Sequence, residues 1–329
     1  MNEERRLRTR ALVAQFGWNA LSAQVLRSGF RYWLPGGHAS VAYVDTGQAW
    51  IAAGAPLAAG AHLREVADAF VAAARAEGRR AAFFGVEDRF LAAVPCRAHV
   101  IGRQPVWDPT RWFRMLDGAP SLRAQVRRAE RKGVSVRELT PVDARELRPE
   151  LLALRSDWLR SRPLAPMRFL VDARLRSGTA RRTFVAERDG RVVAMALALP
   201  VPARGGFFVE HLWRRPTSPN GTVELLVHSA MLAFASESVR WATLGLAPLD
   251  GIASPWMRAL RGLSRPLYDF GGLAAFKAKL RPDRWDAIHL AHPHGSFALP
   301  AFFDVAVAFA GGSLLRYAAR SVRHRFGAR

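Results

Sequence analysis

The chain has 329 residues, half of them apolar, and carries a formal net charge of +22 at pH 7. This length and apolar content suit two folded domains and exclude wholesale disorder. The charge predicts a polyanionic partner, either nucleic acid or an anionic membrane surface. The alternative is that the charge results from compositional drift and not from a binding function. Drift could explain why only three of the 49 basic residues are lysines, but it does not explain the shortage of acids.

The cysteine content and the length of the apolar runs indicate where in the cell the protein is expected. Cys96 is the only cysteine, so no intramolecular disulfide can form, and its short apolar context favours a buried inert thiol. The N-terminal residues MNEERRLRTR lack the apolar stretch of a signal peptide. No run reaches the ~20 apolar residues that span a bilayer. We therefore expect a cytoplasmic protein that reaches a membrane only from its surface.

Two parts of the chain repeat one order of predicted elements. In the first, two strands flank a Thr46-Gly47 turn, and a helix over 62–78 and a strand over 81–86 follow. In the second, a hairpin turns at Asp189-Gly190, and a strand, a helix and another strand follow, at 206–214, 223–238 and 241–247. The order predicts two copies of one α+β unit.

The segment between the copies predicts a short basic helix over 121–134. It is either a solvated connector or a phosphate-contacting surface, and its basic residues are Arg123, Arg127, Arg128, Arg131 and Lys132. This division predicts an N-terminal subdomain over 1–120, the connector, a catalytic subdomain over 135–296 and a tail over 297–329.

The predicted tail is apolar up to Ala310, and arginines then alternate with apolar residues. Such a pattern is typical of a helix lying in a membrane interface, basic on one side. The other interpretation is a terminal helix docked on the protein's own core. Asp304 and the Gly311-Gly312 break argue against a membrane span.

The richest chemistry is predicted in the strand, turn and helix at 206–228. Pro219, Asn220 and Gly221 form a turn, Thr222 is the expected N-cap, and the open helix N-terminus suits an anion. Strand alternation predicts one shared face for Glu210, Leu212 and Arg214. That pair could hold an ammonium together with a carbonyl or phosphate, or be an ordinary ion pair.

Three further pairs of residues are candidates for a site. Glu224 and His228 lie four residues apart on the predicted helix, so they could touch, although a satisfied core histidine is the favoured interpretation of His228. An extended FKAKL segment would point Lys277 and Lys279 the same way, toward a phosphate or simply toward solvent. The histidines of AHPHG, at 292 and 294, could bind a metal, but no acidic or thiol cluster accompanies them, so a surface loop is the favoured interpretation.

Six motifs resemble, in order, the landmarks of one family: PVWDP, FFVEHLWRR, SPNGTVELL, TLGLAPL, GGLAAFKAKLRPDRW and HLAHP. The family is the C-terminal cytosolic domain of the phosphatidylglycerol lysyltransferases, or multiple peptide resistance factors, and the resemblance covers about residues 15–295. It implies two tandem GNAT-type acyltransferase subdomains of α+β class. It also implies that an amino acid passes from aminoacyl-tRNA, as co-substrate without a cofactor, to a hydroxyl of an anionic phospholipid.

The resemblance also implies roles for particular residues. The family's acidic residue and arginine fall on Glu210 and Arg214, and Glu210 stands where lysyltransferases usually carry Asp. The family's lysines fall on Lys277 and Lys279, which would fix the lipid phosphate. The expected substrate-binding set adds Asn220, Gly221, Glu224 and His228, and the connector with Arg215 would contact tRNA.

Two other functions remain open at this stage. An acyl-CoA-dependent N-acyltransferase fits the order of elements, but RRPTSPNG lacks a glycine-rich pyrophosphate loop. A non-catalytic membrane or RNA adaptor would use the charge alone. The oligomeric state is left open, and the expected location is the inner face of the cell membrane.

Overall fold

One mixed sheet runs through the computed structural model, which describes residues 2–171, 181–252 and 269–327. Its strands are β1 (Arg31–Trp33), β2 (Val41–Asp45), β3 (Ala49–Ala53), β4 (Arg80–Val86), β5 (Arg97–Trp107), β6 (Ser135–Glu138), β7 (Arg182–Arg188), β8 (Arg191–Val201), β9 (Gly206–Arg214), β10 (Ala242–Thr243), β11 (Ala247–Pro248) and β12 (Arg284–His292). In space the order is β1-β2-β3-β4-β12-β5-β10-β9-β8-β7-β6, with β11 beside β5.

The helices cover the two faces of this sheet. They are α1 (Asn2–Phe16), α2 (Leu63–Ala76), α3 (Asp88–Ala93), α4 (Trp112–Asp117), α5 (Pro120–Arg131), α6 (Pro141–Glu146), α7 (Arg148–Arg160), α8 (Thr222–Ser236), α9 (Phe270–Lys279), α10 (Ala298–Ala310) and α11 (Leu314–Gly327). A 3₁₀ helix, Ala20–Leu26, precedes the first strand. Helix α2 shows why these segments fold: Leu63, Val66, Phe70 and Ala74 recur at helical spacing and are all buried.

The predicted repeat is confirmed. In the first unit β1, β2 and β3 are antiparallel, and α2 returns the chain to β4, which is parallel to β3. In the second unit β7, β8 and β9 are antiparallel, and α8 returns it to β10, parallel to β9. The fold is therefore α+β, with two tandem GNAT-type units.

The two units exchange their last strands. Strand β5, which follows the first unit in sequence, pairs with β10 of the second. Strand β12, which follows the second unit, pairs with β4 of the first and with β5. The sheet is therefore continuous across the predicted subdomains, and β12 lies in space with the first unit although its residues fall within 135–296.

The tail docks through α10 on the first unit and through α11 on the segment that follows α7. Asp304 of α10 is buried and accepts two hydrogen bonds of 2.8 Å from the Arg80 guanidinium. The Tyr317 hydroxyl of α11 donates to the Ala165 carbonyl over 3.0 Å. Within the described ranges no single helix is long and apolar enough to cross a membrane; α10 and α11, bent by 43° at their break, meet that test only as a pair.

Candidate active site

The second unit opens where the first is closed. In the first unit the parallel strands β3 and β4 pair over five successive positions, from Ala49 to Ala53. In the second, β10 pairs with β9 at Phe207 and Phe208 only, and the chain then returns as β11 against β5. Beyond Phe208, the described chain gives β9 no partner on this side. We call the space between residues 209–214 and residues 244–248 the β9–β10 notch.

Gly245 allows the chain to leave β9. Its φ is +68°, in the left-handed region that favours glycine, and an added Cβ would collide with the ring of Phe208. The amide of Gly245 donates to the Thr243 hydroxyl over 3.0 Å, which fixes the turn. One wall of the notch is therefore set by backbone geometry rather than by a flexible loop.

A β-bulge places Glu210 on the other wall. Leu197 pairs with His211 and Ala198 with Val209, so Glu210 is the extra residue of β9. As a result Glu210 and His211 lie on the same side, with Glu210 Oε2 3.5 Å from His211 Nε2. The His211 ring stacks on Trp213, 4.8 Å between centroids. The predicted shared face of Glu210, Leu212 and Arg214 is wrong, because strict alternation assumes a strand without a bulge.

The arginine beside Glu210 is Arg27, not Arg214. The Glu210 side chain is 2% exposed and accepts a hydrogen bond from Arg27 at one oxygen and from Gln24 at the other. Gln24 Nε2 also donates to the Leu170 carbonyl over 3.0 Å. Arg214 is exposed at the end of β9. No local pattern predicts Arg27 as the partner, because 183 positions separate it from Glu210.

Lys277 is buried rather than displayed. It lies in α9, so the predicted extended FKAKL segment is wrong. Its Nζ donates to the carbonyl oxygens of Gly245 and Leu246, each over 2.8 Å, and burial lowers its pKa to about 7. Lys277 therefore anchors the 244–248 wall of the notch.

Lys279 of α9 and Glu224 of α8 pair with each other. Lys279 Nζ donates to Glu224 Oε1 over 2.8 Å, and the two side chains are 34% and 12% exposed. His228 instead accepts at Nδ1 from the Trp112 indole over 2.9 Å, and burial lowers its pKa. The predicted contact between Glu224 and His228 is therefore replaced by these two, and His228 is a satisfied, half-buried histidine.

The turn before α8 is shaped by packing. Gly221, not Thr222, is the N-cap residue, with φ +95°. A Cβ on Gly221 would collide with the Gln125 carbonyl of α5. Thr222 is buried and donates its hydroxyl to the Pro219 carbonyl over 2.7 Å, whereas Asn220 is exposed. The expected N-cap at Thr222 is wrong, because only glycine lets α8 approach α5 so closely.

The predicted basic helix exists as α5. Its apolar face packs on α8 through Leu122, Val126 and Ala129. Its cations at 127, 128, 131 and 132 are exposed, and Arg123 is half-buried and donates to the Asp117 carbonyl. Arg215 is held by Asp157 and by the Val192 carbonyl. Their contacts with tRNA stay predictions.

The histidines of the AHPHG segment are not a surface-loop pair. His292 is buried at the end of β12, and its ring stacks on His99 at 5.3 Å. His294 is exposed. In the ranges that the structure describes, no group of three His, Cys, Asp or Glu side chains could hold a metal ion.

The tandem units and the notch in the second define the class: a GNAT-type acyltransferase with one opened unit. The family model "Phosphatidylglycerol lysyltransferase, C-terminal" matches residues 10–292. The chain belongs to that family, as its motifs predicted.

Individual relatives agree with this assignment. The C-terminal domain of a putative lysylphosphatidylglycerol synthetase from Agrobacterium fabrum is similar at TM-score 0.82 and 25% identity, over 95% of this chain and 99% of that one. L-PGS from Bacillus licheniformis shares the fold at TM-score 0.76 and 21% identity, over 92% and 96%. Phosphatidylglycerol lysyltransferase from Bacillus subtilis is 27% identical over 117 residues, which are 33% of this chain and only 14% of the relative.

Proposed function

We propose that the protein transfers an amino acid from an aminoacyl-tRNA to a hydroxyl group of an anionic phospholipid such as phosphatidylglycerol. The observation that carries the proposal is the β9–β10 notch, which has a buried carboxylate on one wall and a buried amine anchoring the other. Membership of a family named for lysyl transfer to phosphatidylglycerol supports the choice of substrates.

Glu210 suits the charged end of an amino acid. A carboxylate offers about four lone-pair positions, and Arg27 and Gln24 occupy two of them. The remaining positions can accept hydrogen bonds from the α-ammonium of the donor. The hydrogen bond from Arg27 fixes the orientation of the carboxylate, so the ammonium meets preorganised acceptors in a site of low dielectric.

The reaction needs no oxidant and no metal. The lipid hydroxyl oxygen attacks the carbonyl carbon of the aminoacyl ester, the bond from that carbon to the tRNA ribose oxygen breaks, and the hydroxyl proton passes to the ribose. Because the donor is an activated ester, positioning supplies much of the rate. Arg214 is exposed at the end of β9 but does not share a face with Glu210, so the proposal leaves it only the predicted role of holding the acceptor.

The polyanionic substrates fit the exposed charge of the molecule. The cations of α5 would follow the tRNA backbone, which predicts a strong dependence of binding on salt. Lys279 is partly exposed and can approach the lipid phosphate, whereas buried Lys277 acts on the wall. The enzyme would work at the inner face of the cell membrane, with the arginines of α11 toward anionic lipid.

Lipid extracts test the proposal directly. Cells that express the protein should contain a new amine-bearing derivative of an anionic phospholipid, detected by mass spectrometry as the parent mass plus one amino-acid residue. Glu210→Gln, expressed at the same soluble level, should abolish the derivative because Gln lacks the charge that binds ammonium. An extract unchanged by the folded wild-type protein would refute lipid aminoacylation.

A further inference from the structure

A cavity of about 460 Å³ lies in the first unit, away from the notch. It is bounded by the end of α2, the start of β4 and the loop from β12 to α10. Arg75, Arg79 and Arg80 line it on one side, and His294 and Phe297 line it on the other. None of the residues assigned to the notch lines this cavity.

The cavity has an excess of positive charge. Arg80 is paired with Asp304, and Arg79 Nε lies 3.5 Å from Asp45, a carboxylate that Arg31 also contacts at 2.9 Å. Arg75 is exposed and has no ion-pair partner in the part of the chain that the structure describes. The arginines therefore outnumber the acids that face them, and one guanidinium is available to an anion.

An exposed phenylalanine lines the cavity with these arginines, and the helix that follows it carries further exposed apolar side chains. Phe297, at the cavity, is 78% exposed, and Leu299 and Phe303 of α10 are 71% and 58% exposed. Leu299, Phe303 and Ala306 recur at i, i+4 and i+7, so they form one apolar stripe along the helix. The opposite face of α10 packs in the core through Ala301, Val305 and Ala308. The stripe is thus a second apolar face of α10.

We propose that these residues form a docking face for an anionic phospholipid bilayer. The docking face consists of Arg75, Arg79, Arg80, Phe297, Leu299 and Phe303. A lipid phosphate binds the arginines in the cavity, while the apolar side chains enter the acyl region beside it. This contact is separate from the transfer site and does not depend on the identity of the reaction.

Two physical features favour a bilayer over other occupants. A bilayer presents phosphate and hydrocarbon within a few ångströms of each other, as this face presents arginine and phenylalanine. Nucleic-acid phosphate would satisfy the arginines but leave the apolar stripe in water. A second copy of a chain with a net charge of +22 would be repelled.

Vesicle sedimentation tests the docking face without any tRNA or turnover. The protein is mixed with vesicles of phosphatidylcholine containing a third phosphatidylglycerol, or of phosphatidylcholine alone. Arg75→Gln/Arg79→Gln should weaken binding to the anionic vesicles by about tenfold or more. Each basic residue near an anionic surface contributes substantially to the free energy of binding. Arg80 is kept, since its removal would leave buried Asp304 unpaired. Phe297→Ser/Leu299→Ser should weaken binding to a similar extent.

Matched variants control for charge and apolar content. Arg8→Gln/Arg64→Gln removes two exposed arginines elsewhere, and Phe113→Ser removes a phenylalanine that is 64% exposed on α4. Both should bind anionic vesicles within about twofold of wild type, since neither lies on the docking face. Undiminished vesicle binding by either docking-face variant overturns the proposal. So does a selective loss of tRNA binding, or conversion of a dimer to a monomer, with vesicle binding intact.

Discussion

Burial holds the pKa of Lys277 at about 7, well below its ordinary value of 10.5. Between these two values the unfolded chain binds a proton at Lys277 that the folded protein lacks. Stability therefore rises with pH across this window, by up to about 1.4 kcal/mol per pH unit from this group. Below pH 7 both states hold the proton and the dependence disappears.

Lys277→Met should remove that dependence. We expect the free energy of unfolding of the wild-type protein to rise relative to that of the variant as pH increases from 7 to 9, because Met has no proton to lose. Denaturant titrations at several pH values measure the difference. Parallel curves for the two proteins would show that the amine of Lys277 stays protonated in the fold.

At the residue scale, the sequence predicted Glu210 but not its setting. Its type and its place before the turn indicated a site, and its role there stays a prediction. The bulge that reverses its direction depends on pairing with β8, which local alternation cannot reveal. Arg27 and Gln24 reach it from the far end of the chain. Partners contributed by distant elements leave no spacing to recognise.

At the scale of elements, Gly221 tests whether the turn before α8 is determined by packing against α5. Gly221→Ala should lower stability by about 1–3 kcal/mol, because a Cβ meets the Gln125 carbonyl at a positive φ. Gly47→Ala is the matched control, since Gly47 also has a positive φ but nothing lies within 4 Å of an added Cβ. Thermal melting compares the two. Equal losses of stability in the two variants would mean that the contact with α5 is not the reason why position 221 requires glycine.

The exposed cations of α5 give a second prediction for an element. Arg127→Gln/Arg128→Gln/Arg131→Gln should weaken tRNA binding and lower the slope of log affinity against log salt by about 2–3, because fewer counterions are released. Arg5→Gln/Arg8→Gln/Arg10→Gln on α1 removes the same charge from another exposed helix. Filter binding at several salt concentrations measures both slopes. Equal slopes for the two triple variants would place the tRNA elsewhere.

Element types were predictable where turns and periodicity agreed. The Asp189-Gly190 hairpin and helix α2 were predicted because their turn residues and apolar spacing are local. Helix α9 was missed, because FKAKL alternates as a strand would. Its start is set by Asp269, whose carboxylate accepts from the Gly272 amide over 2.8 Å. That cap lies eight residues before Lys277, outside the FKAKL segment whose alternation predicts a strand.

For the whole molecule, the exchange of β5 and β12 predicts one cooperative unfolding unit. Neither unit can complete its sheet without a strand that follows the other. Hydrogen exchange of the amides in β3 and β8 should therefore report the same free energy of global opening, within about 1 kcal/mol. Two well-separated values would mean that the units unfold independently.

The order of the repeat was readable from the sequence, but the exchange was not. In both copies, local sequence patterns predict the hairpin, the helix and the strand. The pairing of β12 with β4, in contrast, joins residues about 200 positions apart. The difference in strand pairing between the two units could not be predicted for the same reason. Only the sheet shows that β3 and β4 stay paired while β9 and β10 separate.

The most direct test of the central claim, that the opened second unit performs transfer, uses purified protein, labelled aminoacyl-tRNA and phosphatidylglycerol vesicles. Glu210→Gln is compared with Glu87→Gln, which alters a similarly buried carboxylate that pairs with Arg204 outside the notch. We expect the wild-type protein to transfer label to the lipid, and no label to reach the lipid if the aminoacyl-tRNA is first digested with ribonuclease. Glu210→Gln should slow the transfer about 100-fold or more. Glu87→Gln should destabilise the fold yet keep the rate within about threefold at a temperature where it is folded. Equal rates for Glu210→Gln and wild type would contradict the claim.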